Sequence, residues 1–293
     1  MKIQHFLSLI LLFALGAACE DAIEVPSQFE ESQLVVDAWL TNDLSPQTIT
    51  LNESVDYFGG GQPPLVEDAT VSVCNTTTSD CYIFAYRANG QYVWEPGSSP
   101  LGAVGDQFEL TIEQGGSTYR SNTSISRTAT IDSIGLEFEE ESLQFQEEGF
   151  YAQLYAFDPA GRGDTYWIRA YKNDTLLNRP TEVTVVFDAT FDAGADVDGT
   201  YFIPPIRFGV NPLDDDGFLV PYQSGDHIRC EVHSISNEAF RFLNIAAEQI
   251  TNEGIFAVPI ANARGNVFDE SSGDAVLGIF NVAEVASLER MVD

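Results

Sequence analysis

The chain has 293 residues, of which 44% are hydrophobic and 12% aromatic, enough for a sizeable core, which excludes a wholly disordered protein. It carries 13 Lys and Arg against 45 Asp and Glu, a formal net charge of −32. A surface of this charge would repel phosphates, so the composition excludes a nucleic-acid-binding protein.

The N-terminus has the layout of a secretory signal peptide. Lys2 precedes an apolar run over 6–15, and the small residues 16–18 come directly before Cys19. The apolar run is too short for a permanent membrane span, and we predict a signal peptide over 1–18. The Leu-Gly-Ala-Ala-Cys sequence that ends at Cys19 resembles a bacterial lipobox, which implies cleavage before this cysteine and its lipidation. The alternative is an ordinary signal peptide followed by a chance cysteine.

Residues 19–32 are polar, acidic and interrupted by Pro26, which predicts a lipidated cysteine followed by a tether. Glu20 and Asp21 resemble the surface-export signal of Bacteroidota lipoproteins. That resemblance implies a body that hangs from the outer membrane and faces the outside of the cell. No later segment is long and apolar enough to cross a membrane, so the acyl chains are expected to provide the attachment.

Residues 33–127 contain seven short runs rich in β-formers and bounded by turn residues. The runs are 34–41, 47–54, 69–74, 81–86, 90–95, 106–114 and 117–125. Asn89-Gly90 and Gly115-Gly116 predict tight turns between strands. So many strands in so short a segment predict a β-sandwich, which resembles the immunoglobulin-like or transthyretin-like modules of exported bacterial proteins.

Three cysteines follow the signal segment. Cys74 and Cys81 are separated by six turn-rich residues between two predicted strands, and an exported chain sits in an oxidising compartment. We predict a disulfide between them, with two free thiols as the alternative. Cys230 alternates with apolar residues and is expected to be a buried thiol.

Residues 128–293 predict a second β-rich domain, joined to the first near 126–131. Its strand-like runs are 132–139, 150–158, 164–173, 181–189, 198–204, 218–222 and 226–235, with two more in 254–267 and 275–288. A single amphipathic helix is predicted over 236–250, with Ser236 as its N-cap and Glu238 in the first turn. The expected fold class is therefore mainly β: a sandwich followed by a second β-rich domain with one helix.

The sequence offers no constellation of catalytic residues. It has no nucleophile elbow, no phosphate-binding glycine loop and no Cys/His pair placed for nucleophilic catalysis. His227 and His233 lie on one predicted strand, but two histidines are not a zinc site without further ligands. We interpret them as core or surface residues, and we expect no enzyme activity.

Two loops concentrate acidic residues. The first contains Asp188 and the calcium candidates Asp192, Asp196 and Asp198; the second is the run at 214–216. Carboxylates gathered in one loop are typical Ca²⁺ ligands, but this loop lacks the EF-hand order and its terminal Glu. The alternative is a solvated acidic loop without any cofactor.

Several short motifs occur in a characteristic order along the mature chain. They are 34–42, 66–71, Asp158-Pro159, 166–169, 224–226, 234–240, 265–267 and 275–280. In this order the chain resembles a family of uncharacterised Bacteroidota outer-membrane lipoproteins commonly encoded beside TonB-dependent receptors. The cysteine pair at 74 and 81 departs from that family. The family has no established catalytic residues, so none is transferred.

The resemblance implies a surface-exposed outer-membrane lipoprotein that acts as a non-catalytic binding or accessory subunit of a TonB-dependent transporter. The alternative is a surface adhesin or carbohydrate-binding lipoprotein, which exposed aromatic side chains such as Trp94 or Trp167 would support. Core packing is the competing interpretation of both tryptophans.

Overall fold

The computed structural model describes residues 32–55, 61–190, 197–251 and 263–293. The predicted signal peptide, Cys19 and nearly all of the tether lie outside these residues. The first part of the chain forms seven strands: β1 (Leu34–Thr41), β2 (Gln47–Glu53), β3 (Thr70–Asn75), β4 (Asp80–Ala88), β5 (Gln91–Trp94), β6 (Gln107–Gln114) and β7 (Ser117–Ser124).

These seven strands form a curled sheet together with two strands from the end of the chain, β14 (Phe268–Asp269) and β15 (Leu277–Ala283). The strand order is β14-β7-β6-β3-β4-β5-β2-β1-β15. The first half of β4 pairs with β3 and its second half with β5, so the sheet folds over at this strand. The two halves then face each other as the layers of a sandwich, which confirms the predicted fold class.

The sandwich core follows from alternation along the strands. In β1, residues 34, 36, 38 and 40 are buried, and the intervening residues are not. The alternating residues of β6 are buried in the same way. Side chains two apart lie on one face of a strand, so each layer presents an apolar face to the other.

The two predicted turns are confirmed. Asn89 and Gly90 join β4 to β5 with φ of 54° and 73°, and Gly115 and Gly116 join β6 to β7 with φ of 60° and 88°. Two consecutive residues with positive φ make the turn whose twist suits a two-residue hairpin.

The predicted disulfide is confirmed. Cys74 on β3 lies directly opposite Cys81 on β4, and the two sulfurs are bonded. The third cysteine, Cys230, is a buried free thiol, as expected.

Removing the bridge with the double substitution Cys74→Ser/Cys81→Ser should destabilise the protein by about 2 kcal/mol, because only a short loop is closed. That corresponds to a fall in melting temperature of roughly 5 °C, measurable by circular dichroism. Reductant should lower the melting temperature of the wild type and leave that of the double variant alone. An unaltered wild-type melting temperature in reductant would contradict the prediction.

The second part of the chain contributes a sheet, a hairpin and a helix. Its elements are β8 (Thr130–Glu139), β9 (Gly149–Phe157), β10 (Thr165–Lys172), β11 (Thr175–Leu176), a 3-10 turn (Pro180–Glu182), β12 (Thr184–Phe187), β13 (His227–Ser234), α1 (Asn237–Thr251) and β16 (Val285–Met291). The sheet has the order β11-β10-β13-β16, and β12 also pairs with β10. The hairpin of β8 and β9 covers this sheet, and a second core lies between them.

Two predicted strands are wrong as continuous strands. Residues 198–204 and 218–222 make only single bridges, two of them to β9. Pro204, Pro205 and Pro221 interrupt the ladder, since proline has no N–H to donate. The run 181–189 begins with the 3-10 turn, so only its middle is a strand. Most of the run 254–267 lies outside the described residues.

The helix is confirmed within one residue at each end. The backbone N–H of Ala239 donates to Ser236 Oγ over 3.1 Å, the expected N-cap. Ala239 and Leu243 pack with Ile235 and Ile279 in a small core that also contacts half-buried Trp39 of β1. This core joins the second part of the chain to the sandwich.

The C-terminal strands connect the two parts further. The parallel pairing of β15 with β1, and the pairing of β14 with β7, place these two strands in the first sheet, whereas the last strand, β16, pairs with β13 in the second sheet. The boundary near 126–131 stays a prediction, with the addition that the sandwich also uses these late strands. In the portion of the chain that the structure describes, no helix is both long and apolar enough to span a bilayer.

Candidate functional site

A cavity of about 780 Å³ opens between β12, the helix and the segment after the 198–204 run; we call it the β12 cavity. Its apolar wall is formed by Val183, Val185, Pro204, Pro205 and Phe208. Its volume lies within the range of small-molecule sites, which are mostly apolar with a few oriented polar groups.

The polar side of the β12 cavity is held by a network of side chains. Arg207 Nη1 donates to Glu139 Oε1 over 2.6 Å, and Arg207 Nη2 pairs with Glu137. The amide of Gln153 also donates to Glu137, and Tyr155 donates to Gln153 Oε1 over 2.9 Å. These contacts fix Arg207 and Gln153 at the cavity wall, so the wall is ordered before any ligand arrives.

Exposed aromatic side chains continue outward from the β12 cavity. Tyr155 and Phe157 alternate on the outer face of β9, and Tyr201 pairs with Phe157 with ring centroids 5.3 Å apart. Phe208, at the cavity rim, is 62% exposed. We call these four residues the aromatic strip. Exposed aromatic side chains grouped in this way are typical of interaction sites.

The tryptophans singled out in the sequence do not form such a surface. Trp94 is half-buried against the sandwich core, with its ring 4.6 Å from that of Tyr82. Trp167 is half-buried with its ring 4.9 Å from that of Trp39. Core packing is therefore the better interpretation of both, and neither tryptophan belongs to the aromatic strip.

The first acidic loop is partly brought into a carboxylate cluster. Asp198 lies with Asp158 and Asp188, and one carboxylate oxygen from each lies within 4.8 Å of the others. Asp192 and Asp196, the other two calcium candidates, lie outside the described residues. The sequence did not predict Asp158 as a ligand. It precedes Asp188 by 30 residues, and only folding brings the two together.

The turn that follows β9 wraps around this cluster. Asp188 Oδ1 accepts hydrogen bonds from the backbone N–H groups of Gly163 (2.7 Å) and Asp164 (2.8 Å). Asp198 accepts from the N–H of Gly161 over 2.9 Å. These contacts hold the carboxylates together and leave other oxygen lone pairs for a cation.

Burial raises the pKa of Asp158, and the nearby carboxylates of Asp164 and Asp188 raise it further, against hydrogen bonds from Tyr166 and Gly199. The Tyr166 hydroxyl donates to Asp158 Oδ1 over 2.6 Å. The charge of a fully buried carboxylate beside other carboxylates is unfavourable, and a bound cation would offset it.

Arg127 supplies positive charge at the edge of the turn. Its Nη2 and Nε atoms donate to Asp164 Oδ2 over 2.6 Å and 2.9 Å. This hydrogen bond raises the pKa of Arg127. The guanidinium therefore pairs with Asp164, next to the cluster of Asp158, Asp188 and Asp198.

Added salt should raise the melting temperature of the protein. A folded surface with a net charge near −32 repels itself, and salt screens this repulsion.

Low millimolar CaCl₂ should raise the melting temperature further than NaCl of matched ionic strength if the carboxylate cluster holds Ca²⁺. The variant Asp198→Asn should lose this extra rise. Asp215→Asn, in the other acidic loop, serves as its control.

A melting temperature that stays constant from low to molar NaCl would contradict the screening argument. Equal shifts in melting temperature with calcium and with matched NaCl would exclude a calcium site and would still be consistent with screening.

The two histidines of β13 contact glutamates. The His233 Nε2 atom lies 2.9 Å from Glu231 Oε2, and His227 Nε2 lies 3.3 Å from Glu289 Oε2. Burial lowers the pKa of His233, although Glu231 acts in the opposite direction. Burial raises the pKa of Cys230 to about 12, which leaves its thiol protonated and unreactive at neutral pH.

The fold and its cavities define a two-part β protein with room for small ligands. A family profile described as Domain of unknown function (DUF4249) matches residues 20–289, so the chain belongs to this family. Its membership in an uncharacterised family is thus confirmed, and that description assigns no activity.

Among curated proteins, none matches this chain. A solved structure titled "Biofilm associated protein - BSP domain" is 12% identical, with a TM-score of 0.21. The alignment covers 69% of this chain and 26% of that chain, so this chain spans about a quarter of its length. With so low a TM-score, the similarity supports no conclusion about fold or function.

Proposed function

We propose that the chain is a lipid-anchored, surface-exposed, non-catalytic binding subunit that assists a TonB-dependent outer-membrane receptor. The observation that carries the binding role is the β12 cavity, a ligand-sized, mostly apolar space with a pre-ordered polar wall. A small cargo held there would be presented to the receptor.

The part of the chain that the structure describes favours binding over catalysis. Near the β12 cavity the polar side chains are amides, threonines and one arginine, and that arginine is committed to Glu137 and Glu139. Both described histidines pair with glutamates. Amide, hydroxyl and guanidinium groups of this kind suit the orientation of a ligand, and the described lining has no histidine or cysteine beside the threonines to activate them.

The location and the partner rest on the sequence. The lipobox-like segment before Cys19 and the acidic residues after it support an anchor in the outer membrane with the body outside. The tether over 20–32, if extended, would reach roughly 40 Å at about 3.3 Å per residue, enough to place the body over a neighbouring barrel. The resemblance to lipoproteins encoded beside TonB-dependent receptors supplies the partner class.

The alternative, a surface adhesin or carbohydrate-binding lipoprotein, is favoured by one observation. The aromatic strip places three exposed rings on one face beside the β12 cavity, with Phe208 at its rim. Aromatic faces next to amide side chains suit sugar rings, which have both apolar and hydrogen-bonding sides.

Two experiments on intact cells and native membranes test the proposal. Purification of the full-length lipoprotein in detergent should recover a TonB-dependent barrel, and external protease should degrade the body on intact cells. Retained glycan without a barrel would favour the alternative. Full protection from protease would place the body in the periplasm and overturn surface exposure.

The binding role needs a variant that fills the β12 cavity. Asn244 of the helix lines it, whereas Ile250 of the same helix is exposed outside it. In cells lacking the gene, Asn244→Trp should still recover the receptor but fail to restore growth on its substrates, and Ile250→Trp should restore growth. Unchanged growth of the deletion strain on every substrate of the receptor would refute the accessory role.

A further inference from the structure

A second cavity, of about 640 Å³, lies where β7, the helix and the segment before β14 meet. Three arginines line it: Arg120 from β7, Arg241 from the helix and Arg264 from the segment before β14. Phe242, Ile245 and Phe268 form its apolar side. We call it the arginine cavity; it is distinct from the β12 cavity.

The presence of three arginines in one cavity is unexpected in this chain. The whole sequence has 13 Lys and Arg against 45 Asp and Glu, so a random surface site would be strongly acidic. Most other basic residues have structural partners close by. Examples are Arg127 with Asp164, Lys172 with Asp226, and Arg207 with Glu137 and Glu139.

The arginines of the cavity differ in how far their charge is already neutralised. Arg120 pairs with Glu109 over 2.7 Å and with Glu270 over 3.4 Å. Among the described residues, Arg241 makes one exposed ion pair, with Glu238 over 3.5 Å, and its Nε donates to the backbone carbonyl of Asn237 over 3.0 Å. Within the described ranges, Arg264 is exposed and has no ion pair, so its guanidinium is free for an incoming group.

The two residues that follow Arg264 anchor the backbone at this point. A Cβ on Gly265 would meet the carbonyl oxygens of Val276 at 2.3 Å and Gly278 at 2.5 Å, so the backbone here packs directly on β15. Asn266 next to it exchanges two hydrogen bonds of 2.8 Å with the backbone of Phe280. The backbone that follows Arg264 is therefore anchored on the sheet, and the guanidinium extends from this anchored point.

We propose that the arginine cavity binds a small organic anion, one that carries a carboxylate, sulfate or phosphate group on an apolar body. The planar guanidinium groups of Arg241 and Arg264 suit an oxyanion in a bidentate arrangement. The two phenylalanines and Ile245 suit the apolar body. The rest of the surface repels anions, so binding has to come from these local contacts. The site is independent of the proposed receptor partner.

Among the described residues that line the arginine cavity, Glu238 is the one carboxylate. It lies in the first turn of the helix and competes with an anion for Arg241. Removing its charge should therefore strengthen anion binding, whereas removing the charges of the arginines should weaken it. This opposite pair of effects distinguishes the site from general adsorption to apolar surface.

The test uses 1-anilinonaphthalene-8-sulfonate as the probe, with N-phenyl-1-naphthylamine as the matched compound without the sulfonate. Fluorescence titration of the folded chain should show that Arg241→Gln/Arg264→Gln weakens binding of the sulfonate at least about tenfold. Glu238→Gln should strengthen it severalfold. Arg87→Gln, which removes an exposed arginine paired with Glu95, should change it little.

Binding of the neutral amine should be the same in all variants. Arg264→Gln alone, at a side chain without ion pairs, keeps the test usable if the double variant unfolds. Unchanged sulfonate affinity in the arginine variants, equal loss of the neutral amine, or no effect of Glu238→Gln would each overturn the proposal.

Discussion

Replacing Gly278 by alanine should unfold or severely destabilise the protein, by about 4 kcal/mol or more. Gly278 lies opposite Val36 in the parallel pairing of β15 with β1, and its φ is +92°. A Cβ there would lie 1.9 Å from the carbonyl oxygen of Val36, so the two strands would have to separate. Separation would expose Phe280, which is fully buried in the sandwich core.

The matched control is Gly273→Ala. Gly273 also has a positive φ, of 76°, but a Cβ there would meet no atom within 4 Å. Alanine should cost only about 1–2 kcal/mol at this position, from its strained backbone alone. Urea unfolding followed by circular dichroism compares the two; a similar loss of stability in both variants would mean that β15 is not tightly packed on β1.

Local features of the fold were predictable from the sequence because their causes are local. Each of the confirmed features depends on a few neighbouring residues. They are the alternation in β1 and β6, the two-residue turns at Asn89-Gly90 and Gly115-Gly116, and the N-cap at Ser236. The continuous strands predicted at 198–204 and 218–222 were wrong because their prolines remove ladder hydrogen bonds, although the apolar pattern fits a strand.

The long-range features of the fold were not predictable in this way. The parallel contact of β15 with β1 joins residues more than 240 positions apart, and no periodicity indicates which strands become neighbours. The same holds for the sites. Asp158 joins Asp188 and Asp198 only in the folded chain, and the arginine cavity gathers side chains from β7, the helix and the segment before β14.

A sequence signal existed for one of these sites. Basic residues are scarce in this chain, so an arginine without a nearby acidic partner stands out, and Arg241 of the helix and Arg264 lie only about 20 residues apart. Sequence alone could not show that Arg120 meets them, since it lies more than 100 residues earlier. The scarcity of basic residues therefore singles out individual arginines, and only the folded structure shows that they line one cavity.

Replacing Cys19 by serine should abolish membrane attachment or leave an unprocessed precursor. The small residues before Cys19 resemble a lipobox, and the expected anchor is the acyl chains on this cysteine alone. The acidic body offers no second attachment, because a net charge of −32 is repelled by anionic lipid surfaces. Cell fractionation with immunoblotting gives the location, and the mobility of the band separates precursor from mature chain.

The control for this variant is Cys230→Ser, which leaves the expected lipid anchor in place. Cys230 is fully buried, so it is inaccessible to a lipidating enzyme in the folded protein, and its substitution should leave the chain in the membrane fraction. Labelling with a radioactive fatty acid should mark the wild type and Cys230→Ser, and should fail to mark Cys19→Ser. A processed Cys19→Ser chain that stays in the membrane fraction would show that attachment comes from protein contacts, with a receptor barrel as the first partner to examine.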